Sequence, residues 1–476
     1  MRRSLALLGV LLSAVAHGQV WEKTVAPGLT YRMEVDTQTP RQIHALRFSL
    51  KSGTVKAMPE LGQGKVYNDD PTKGRESVSE LARRAGAIAA INGDYFPYTG
   101  DPLGLMVRGG ELISVPYPGR ASLGWGEKVA TTGIAQYQGT MTPDGQPAAP
   151  LRGVNMECGM NELVLNLPVA GNAVCRQANR IYVVLKLSGA TVAPVTQLEA
   201  EVAYLLDGTE SVPIQEGNAI LAASGTQADL AKTLKPGQKV VFDIRVTGFD
   251  WSKVTQVVGG GPFLVRGGQI AVDADAEGFP ASFSQRRHPR TAVGITADGD
   301  LWWVAIDGKQ AISDGATLGE TAAIMRRLGC VEAINLDGGG STTLNVMGLT
   351  VNRPSDGVER TVANGVVWIP ETKPLTEVAK IGIVAPPSLF VGDQLTLSAV
   401  RDSGEKLPNA EVLWNARGQG WIDQGGRLRA VEKGTVTVGL SARGQVVTVD
   451  IPILPRPREE TKASRGGPNA NRKKVG

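Results

Sequence analysis

The chain has 476 residues, more than one ordinary core holds, so two or three domains are expected. A hydrophobic content of 42% excludes a disordered polyelectrolyte, and a formal charge of only +4 gives no case for nucleic-acid binding. Fifty-nine glycines, about 12% against an average near 7%, together with 28 prolines, point to many tight turns and a strand-rich structure.

At the N-terminus Met1-Arg2-Arg3 precedes an apolar run over residues 5–15 and small residues at positions 16 and 18. This pattern predicts a signal peptide over residues 1–18 and a secreted, periplasmic or cell-envelope location. The run is too short to span a bilayer, which takes roughly 20 residues, and no transmembrane span is expected later. A helix is predicted over residues 77–86, ending at Gly86, then an apolar strand to Ile91 and the polar turn Asn92-Gly93-Asp94. Residues 130–250 form a strand-rich insert with a structural character. Cys158 and Cys175 bracket a predicted hairpin, so either a disulfide or two thiols fits there, whereas Cys330 sits in an apolar run and reads as a buried free thiol.

The helix–strand–turn pattern returns at residues 317–337. Thr317-Leu-Gly-Glu320 has the form of a capping box, which gives Glu320 a structural role, and the strand 330–336 runs into Asp337-Gly338-Gly339-Gly340-Ser341. Residues 83–94 and 326–337 share seven of twelve positions at an offset of 243. A second echo joins the Arg-Gly-Gly turns at residues 108–110 and 266–268. Two related halves would bring Asp94 and Asp337 to equivalent strand ends facing one cleft. Residues 375–455 hold short alternating strands separated by turn pairs, as in a small sandwich. They resemble bacterial Ig-like domains at Val391-Gly-Asp393, Val412-Leu-Trp414 and residues 430–437. Residues 456–476 carry seven Lys or Arg without an apolar pattern and are expected to be a disordered basic tail.

Asp337 with its glycines is the strongest chemical signal. The glycines allow a ligand close to main-chain amides, although an Asp-capped turn has the same sequence. The segment lacks Gly-Lys-Ser/Thr, so a nucleotide P-loop is not supported. His288-Pro289-Arg290 offers an imidazole and a planar fork suited to phosphate, and a solvated loop is the plainer reading. Asp307 closes an apolar strand, and Arg360 is an ion-pair candidate as well as a ligand.

Taken in order, residues 91–96, Gly259-Gly-Gly-Pro262, residues 288–294, Asp307-Gly308, Ser313-Asp-Gly315, residues 318–320, 328–329, 333–342 and 359–364 resemble the phosphodiester glycosidase family, over roughly residues 85–370. The resemblance implies a mixed, strand-rich α+β catalytic region over residues 19–374, with a few helices packed on sheet. It also implies hydrolysis of a sugar-1-phosphodiester, from a glycan or envelope polymer, to sugar and phosphomonoester. Asp337, Asn92, Arg290 and Asp307 become the catalytic candidates. Gly338, Gly339, Gly340, Ser341, Asn335, Arg360, Asn364, Asp94 and His288 become the substrate-binding candidates. Asp337 would face the sugar, and Arg290 with residues 338–341 the phosphate. Position 94 is small or glycine in the family's pattern, which sets Asp94 behind Asp337. No cofactor or metal ligand set is implied. An envelope polymer met through the Ig-like module or basic tail is a possible partner. Two other readings remain open: a non-catalytic glycan-binding protein, and a metal-dependent hydrolase using Asp307, Asp314 and Asp337.

Overall fold

The computed structural model describes residues 19–36, 39–68, 70–171, 180–189, 191–207, 214–372 and 379–457. The expected signal peptide, all but the first two residues of the expected basic tail, and Cys175 lie outside them. Among the described residues no helix is long and apolar enough to cross a membrane.

The architecture is mixed α+β and strand-rich, with few helices packed on sheets. One of two eight-stranded sheets is antiparallel throughout. In spatial order its strands are Gln19–Ala26, Leu29–Asp36, Arg41–Phe48, Leu301–Ile306, Arg290–Thr296, Cys330–Leu336, Phe263–Arg266 and Gln269–Ile270. The run Leu301–Ile306 is apolar without alternation because both faces of the strand are covered. Trp303 turns into the main core, while Trp302 packs toward the helix Leu318–Arg327. A five-stranded sheet carries Ala89–Asn92 between Leu344–Val346 and Asn364–Pro370, and a second is centred on Gln256–Gly259. One tryptophan from each of the three sheets meets in the core: Trp125 lies edge-on to Trp303 at 5.8 Å, and Trp303 to Trp368 at 5.5 Å. Such aromatic pairs add to the burial of large apolar surface.

The insert is a separate eight-stranded sheet, its strands lying between Gln136 and Thr247. Lys239–Thr247 alternates buried and exposed positions, as a strand with one face on a core requires. That core also takes in Leu105, Val107, Leu112 and Val257, so the insert is continuous with the hairpin before it. Cys158 is a buried free thiol, not a bridged one. Its Sγ points inward, 3.4 Å from the Glu162 carbonyl and 3.6 Å from that of Ala222. Cys330 is buried and free as expected, and burial pushes its thiol up to about 12.

The C-terminal strands form sheets of two, four and three strands around one core, and no closed Ig-like sandwich is identified. The chain changes sheets at Val391-Gly392: the Val391 amide donates to Leu454 of one sheet and the Gly392 amide to Ala430 of another. The module also shares the main core, into which Leu413 and Trp421 are buried. Polar contacts add to this: Asn415 Nδ2 donates to Thr350 O at 2.5 Å, and Arg353 donates to Gly418 O at 2.6 Å and Gly420 O at 3.1 Å.

Candidate active site

Two strands from different sheets end side by side. The Asp337 amide donates to Gly93 O at 3.1 Å, and Asn92 Nδ2 donates to Asp337 O at 2.7 Å. Asn92 Oδ1 accepts from Thr291 Oγ1 at 2.9 Å and the Thr343 amide at 3.1 Å. The fully buried Asn92 thus staples strand ends together and does not face a ligand. Asn335 is also buried, its Nδ2 reaching Tyr95 Oη at 2.7 Å, Leu336 O at 2.6 Å and Gly261 O at 3.3 Å. Asn364 Oδ1 accepts the Asp94 amide at 2.8 Å. The three asparagines therefore underpin the site.

Asp337 stands above them, partly exposed at the mouth of the glycine turn. Burial pushes its carboxyl up to about 6, against the opposing pull of the Ser341 hydroxyl, Arg360 and the Gly338 amide. Arg360 is held by Asp356 at 2.7 Å and lies against Gly340, where a Cβ would stand 2.1 Å from Nη2. Glycine at 340 lets that guanidinium lie against the main chain in this position. Asp94 is nearly sealed. Its carboxylate accepts the Tyr95 and Gly104 amides, both at 2.7 Å, and is pressed by Gly104 and Gly259. Burial raises it to about 7; the two amides and Arg120 pull it down, and Asp337 pushes it further up.

Other candidates lie differently from their expected roles. The amides of Gly339, Ser341 and Thr342 are taken by the carbonyls of Pro289, Gly338 and Gly339, so they are not aimed at an anion. Arg290 is buried and donates to the carbonyls of Ala316, Phe283 and Arg286 at 2.7–2.9 Å. It braces the short helix Ala281–Gln285. His288 is partly exposed and pairs with Ala316 through its main chain; burial and the neighbouring Arg290, Lys309 and Arg286 lower its pKa. Asp307 is fully buried beneath the turn, accepting the Arg353 amide at 2.9 Å and Asn352 Nδ2 at 3.1 Å. His44 Nε2 stands 3.6 Å from it. Glu320 closes the capping box as expected and also pairs with Arg287 at 2.6 Å and Arg41 at 3.0 Å. Asp314 lies 3.6 Å from Arg287. Among the described residues no three His, Cys, Asp or Glu side chains gather as metal ligands.

Tyr95 feels the charge of Asp337 and Arg120 acts on Asp94. Tyr95 donates to Gly261 O at 2.8 Å while receiving Asn335, and burial followed by the Asp337 charge raises its pKa well above the usual value. The motif around Asn92 contained Tyr95, so a signal was present. Arg120 reaches the site from the segment before the insert, and no local pattern marks it.

Residues 182–369 match a family model described as phosphodiester glycosidase. This links the chain, at family level, to phosphodiester glycosidase catalytic domains. Over 110 residues the chain is 37% identical to N-acetylglucosamine-1-phosphodiester alpha-N-acetylglucosaminidase of Mus musculus, covering 21% of each chain. It is 40% identical over 78 residues to an uncharacterized SPbeta prophage-derived protein of Bacillus subtilis (strain 168), 16% of this chain and 12% of that one. The chain thus spans about a fifth or less of these curated relatives. A solved hypothetical protein from Synechocystis shares the fold, with a TM-score of 0.62 and 22% identity over 74% of this chain and 64% of that one. So does a protein of Burkholderia pseudomallei, with a TM-score of 0.61 and 19% identity over 75% and 99%. The matched segment includes Asp337, Arg290 and Arg360 but not Asn92, Asp94, Tyr95 or Arg120.

Proposed function

We propose that the protein is an exported hydrolase that cleaves the anomeric carbon–oxygen bond of a sugar-1-phosphodiester. Water supplies the oxygen that ends on the sugar carbon, and the departing phosphate keeps the bonding electrons and leaves as a phosphomonoester. The observation that carries this reading is the Asp337 carboxyl, raised to about 6 by burial yet open at the mouth of a rigid turn within the family-matched segment. At neutral pH such a group is largely ionised, as stabilising a cationic sugar requires. A phosphate leaving group is already a weak base and needs little help from a strong acid. Its charge needs cationic donors instead, and the charge of Arg360 is already felt at Asp337. Asp94, with both oxygens held by amides, sets geometry: it fixes Tyr95 and Gly104 around the cleft.

The test is a panel of sugar-1-phosphodiesters, wall-polymer fragments included, hydrolysed in ¹⁸O-water by the full chain. Label in the released sugar, with an unlabelled phosphomonoester, is expected. Label in phosphate would mean phosphorus–oxygen cleavage and overturn the reading, and release from no member by folded protein would favour a glycan-binding role.

A further inference from the structure

The cations near Asp337 are mostly committed. Arg290 serves three carbonyls, Arg360 is paired with Asp356, and Arg287 with Glu320 and Asp314. Arg120 differs. Its Nε is sealed from solvent without a hydrogen-bond partner, and among the described residues it enters no ion pair. The guanidinium is caged by rings, 4.2 Å from the centroids of Tyr117 and Phe279 and 5.4 Å from that of Tyr95. Tyr95 is fixed in turn by Gly261 and Asn335, and Phe279 packs on it at 5.4 Å. Aromatic faces hold a cation in place but do not satisfy its N–H donors. Asp94 and Glu277 feel its charge, yet their oxygens are occupied by main-chain amides. A partly buried guanidinium with donors to spare, against the ring of Tyr95, which feels the Asp337 charge, is prepared for an anion that arrives from outside.

Tyr117 also lines a cavity of about 310 Å³, together with Asp101, Pro102, Leu103, Pro118 and Arg152 among others. Its size is at the lower end of ligand pockets, roughly 300–1,000 Å³. The lining mixes apolar faces with charged edges, as a sugar or polyol requires.

We propose that Arg120 is the phosphate anchor of this site, and that the Tyr117 cavity receives the sugar or polyol esterified on the far side of that phosphate. The inference rests on the hydrolase reading for its substrate, and on the cage alone for its anion. It also assigns the phosphate to a residue outside the family-matched segment.

The experiment uses full-length Arg120→Met, which keeps the length that fills the cage, and Arg120→Lys, which keeps charge without the planar fork. For a hydrolysed sugar-1-phosphodiester, Arg120→Met should raise KM at least about tenfold, as loss of a charge-assisted contact predicts, with Tm little changed. Affinity for phenyl phosphate, read by calorimetry, should fall in parallel, while inhibition by the neutral free sugar stays constant. Arg120→Lys should fall between wild type and Met, and it carries the test if the Met variant does not fold. Unchanged KM and phenyl phosphate affinity, or an equal loss of neutral-sugar binding, would overturn the anchor. If wild type hydrolyses no phosphodiester, the hydrolase reading fails, and phenyl phosphate binding still decides Arg120: no binding, or equal binding by both proteins, removes it.

Discussion

Residues 77–94 and 317–337 follow the same local programme yet end on acids with opposite surroundings. Each helix opens with a capping box, Ser77 with Glu80 and Thr317 with Glu320, and each unit then turns at a left-handed glycine, Gly86 or Gly329. A buried strand follows, carrying an asparagine that ties down the chain end. The echoed hairpins are also present, Met106–Arg108 with Glu111–Ser114 and Phe263–Arg266 with Gln269–Ile270. The acids then part company. Asp94 is closed over by Gly104, which donates its amide to the carboxylate, and by Gly259, which packs against the same oxygen. Asp337 is followed by its own glycines, which fold away against Pro289 and leave the carboxyl open. A repeated local pattern sets where an acid is delivered, while the neighbours brought by the chain elsewhere decide whether it can act.

The largest effect should come at the open acid. Asp337→Asn keeps the shape and removes the charge, so hydrolysis of a sugar-1-phosphodiester should fall at least about a hundredfold while Tm barely moves. Near-normal turnover would break the assignment of roles to the two acids. Asp94→Asn should show the reverse emphasis. Its new NH₂ would face an amide donor, so stability should drop by about 1–3 kcal/mol, with a smaller loss of activity than at 337. Denaturant melts of both variants decide this, and an unchanged midpoint for Asp94→Asn would mean that the seal is looser than the structure shows.

A pH series sharpens the contrast. Both carboxyls are raised in the folded protein, to about 7 for Asp94 and about 6 for Asp337, so the folded state holds protons longer than the unfolded one. Their contribution is therefore fully present below the ordinary carboxylate pKa and lost as pH rises through about 6 and 7. Wild-type stability should carry a downward component over that window, and the Asp94→Asn profile should be flatter; an unaltered slope would exclude Asp94 as its source. The smallest effects belong to the caps. Glu80→Gln should cost less than about 1 kcal/mol, and Glu320→Gln somewhat more because it also loses charge toward Arg287 and Arg41. Both should retain most activity. An inactive Glu320→Gln with an active Asp337→Asn would show that the structural and catalytic acids had been exchanged.

Short-range chemistry along the chain specifies the local units. Caps, stop glycines, apolar strands and glycine turns are written in short-range chemistry, so both helix–strand–acid units, the strand-rich insert and the capping role of Glu320 could be read directly. The order of the motifs carried the family resemblance. Tertiary structure alone decided which polar groups are spent and which are free. Asn92 and Arg290 have side chains suited to a ligand, but carbonyls and hydroxyls from distant segments use up their hydrogen bonds. Arg120 looked ordinary because its ring cage comes from residues 95, 117 and 279, which no sequence spacing joins. The sharing of the main core with Leu413 and Trp421 was hidden for the same reason. Hydrogen bonding and burial saturate through contacts that are remote in the chain, so the chemistry a side chain has left to offer is a property of the folded neighbourhood.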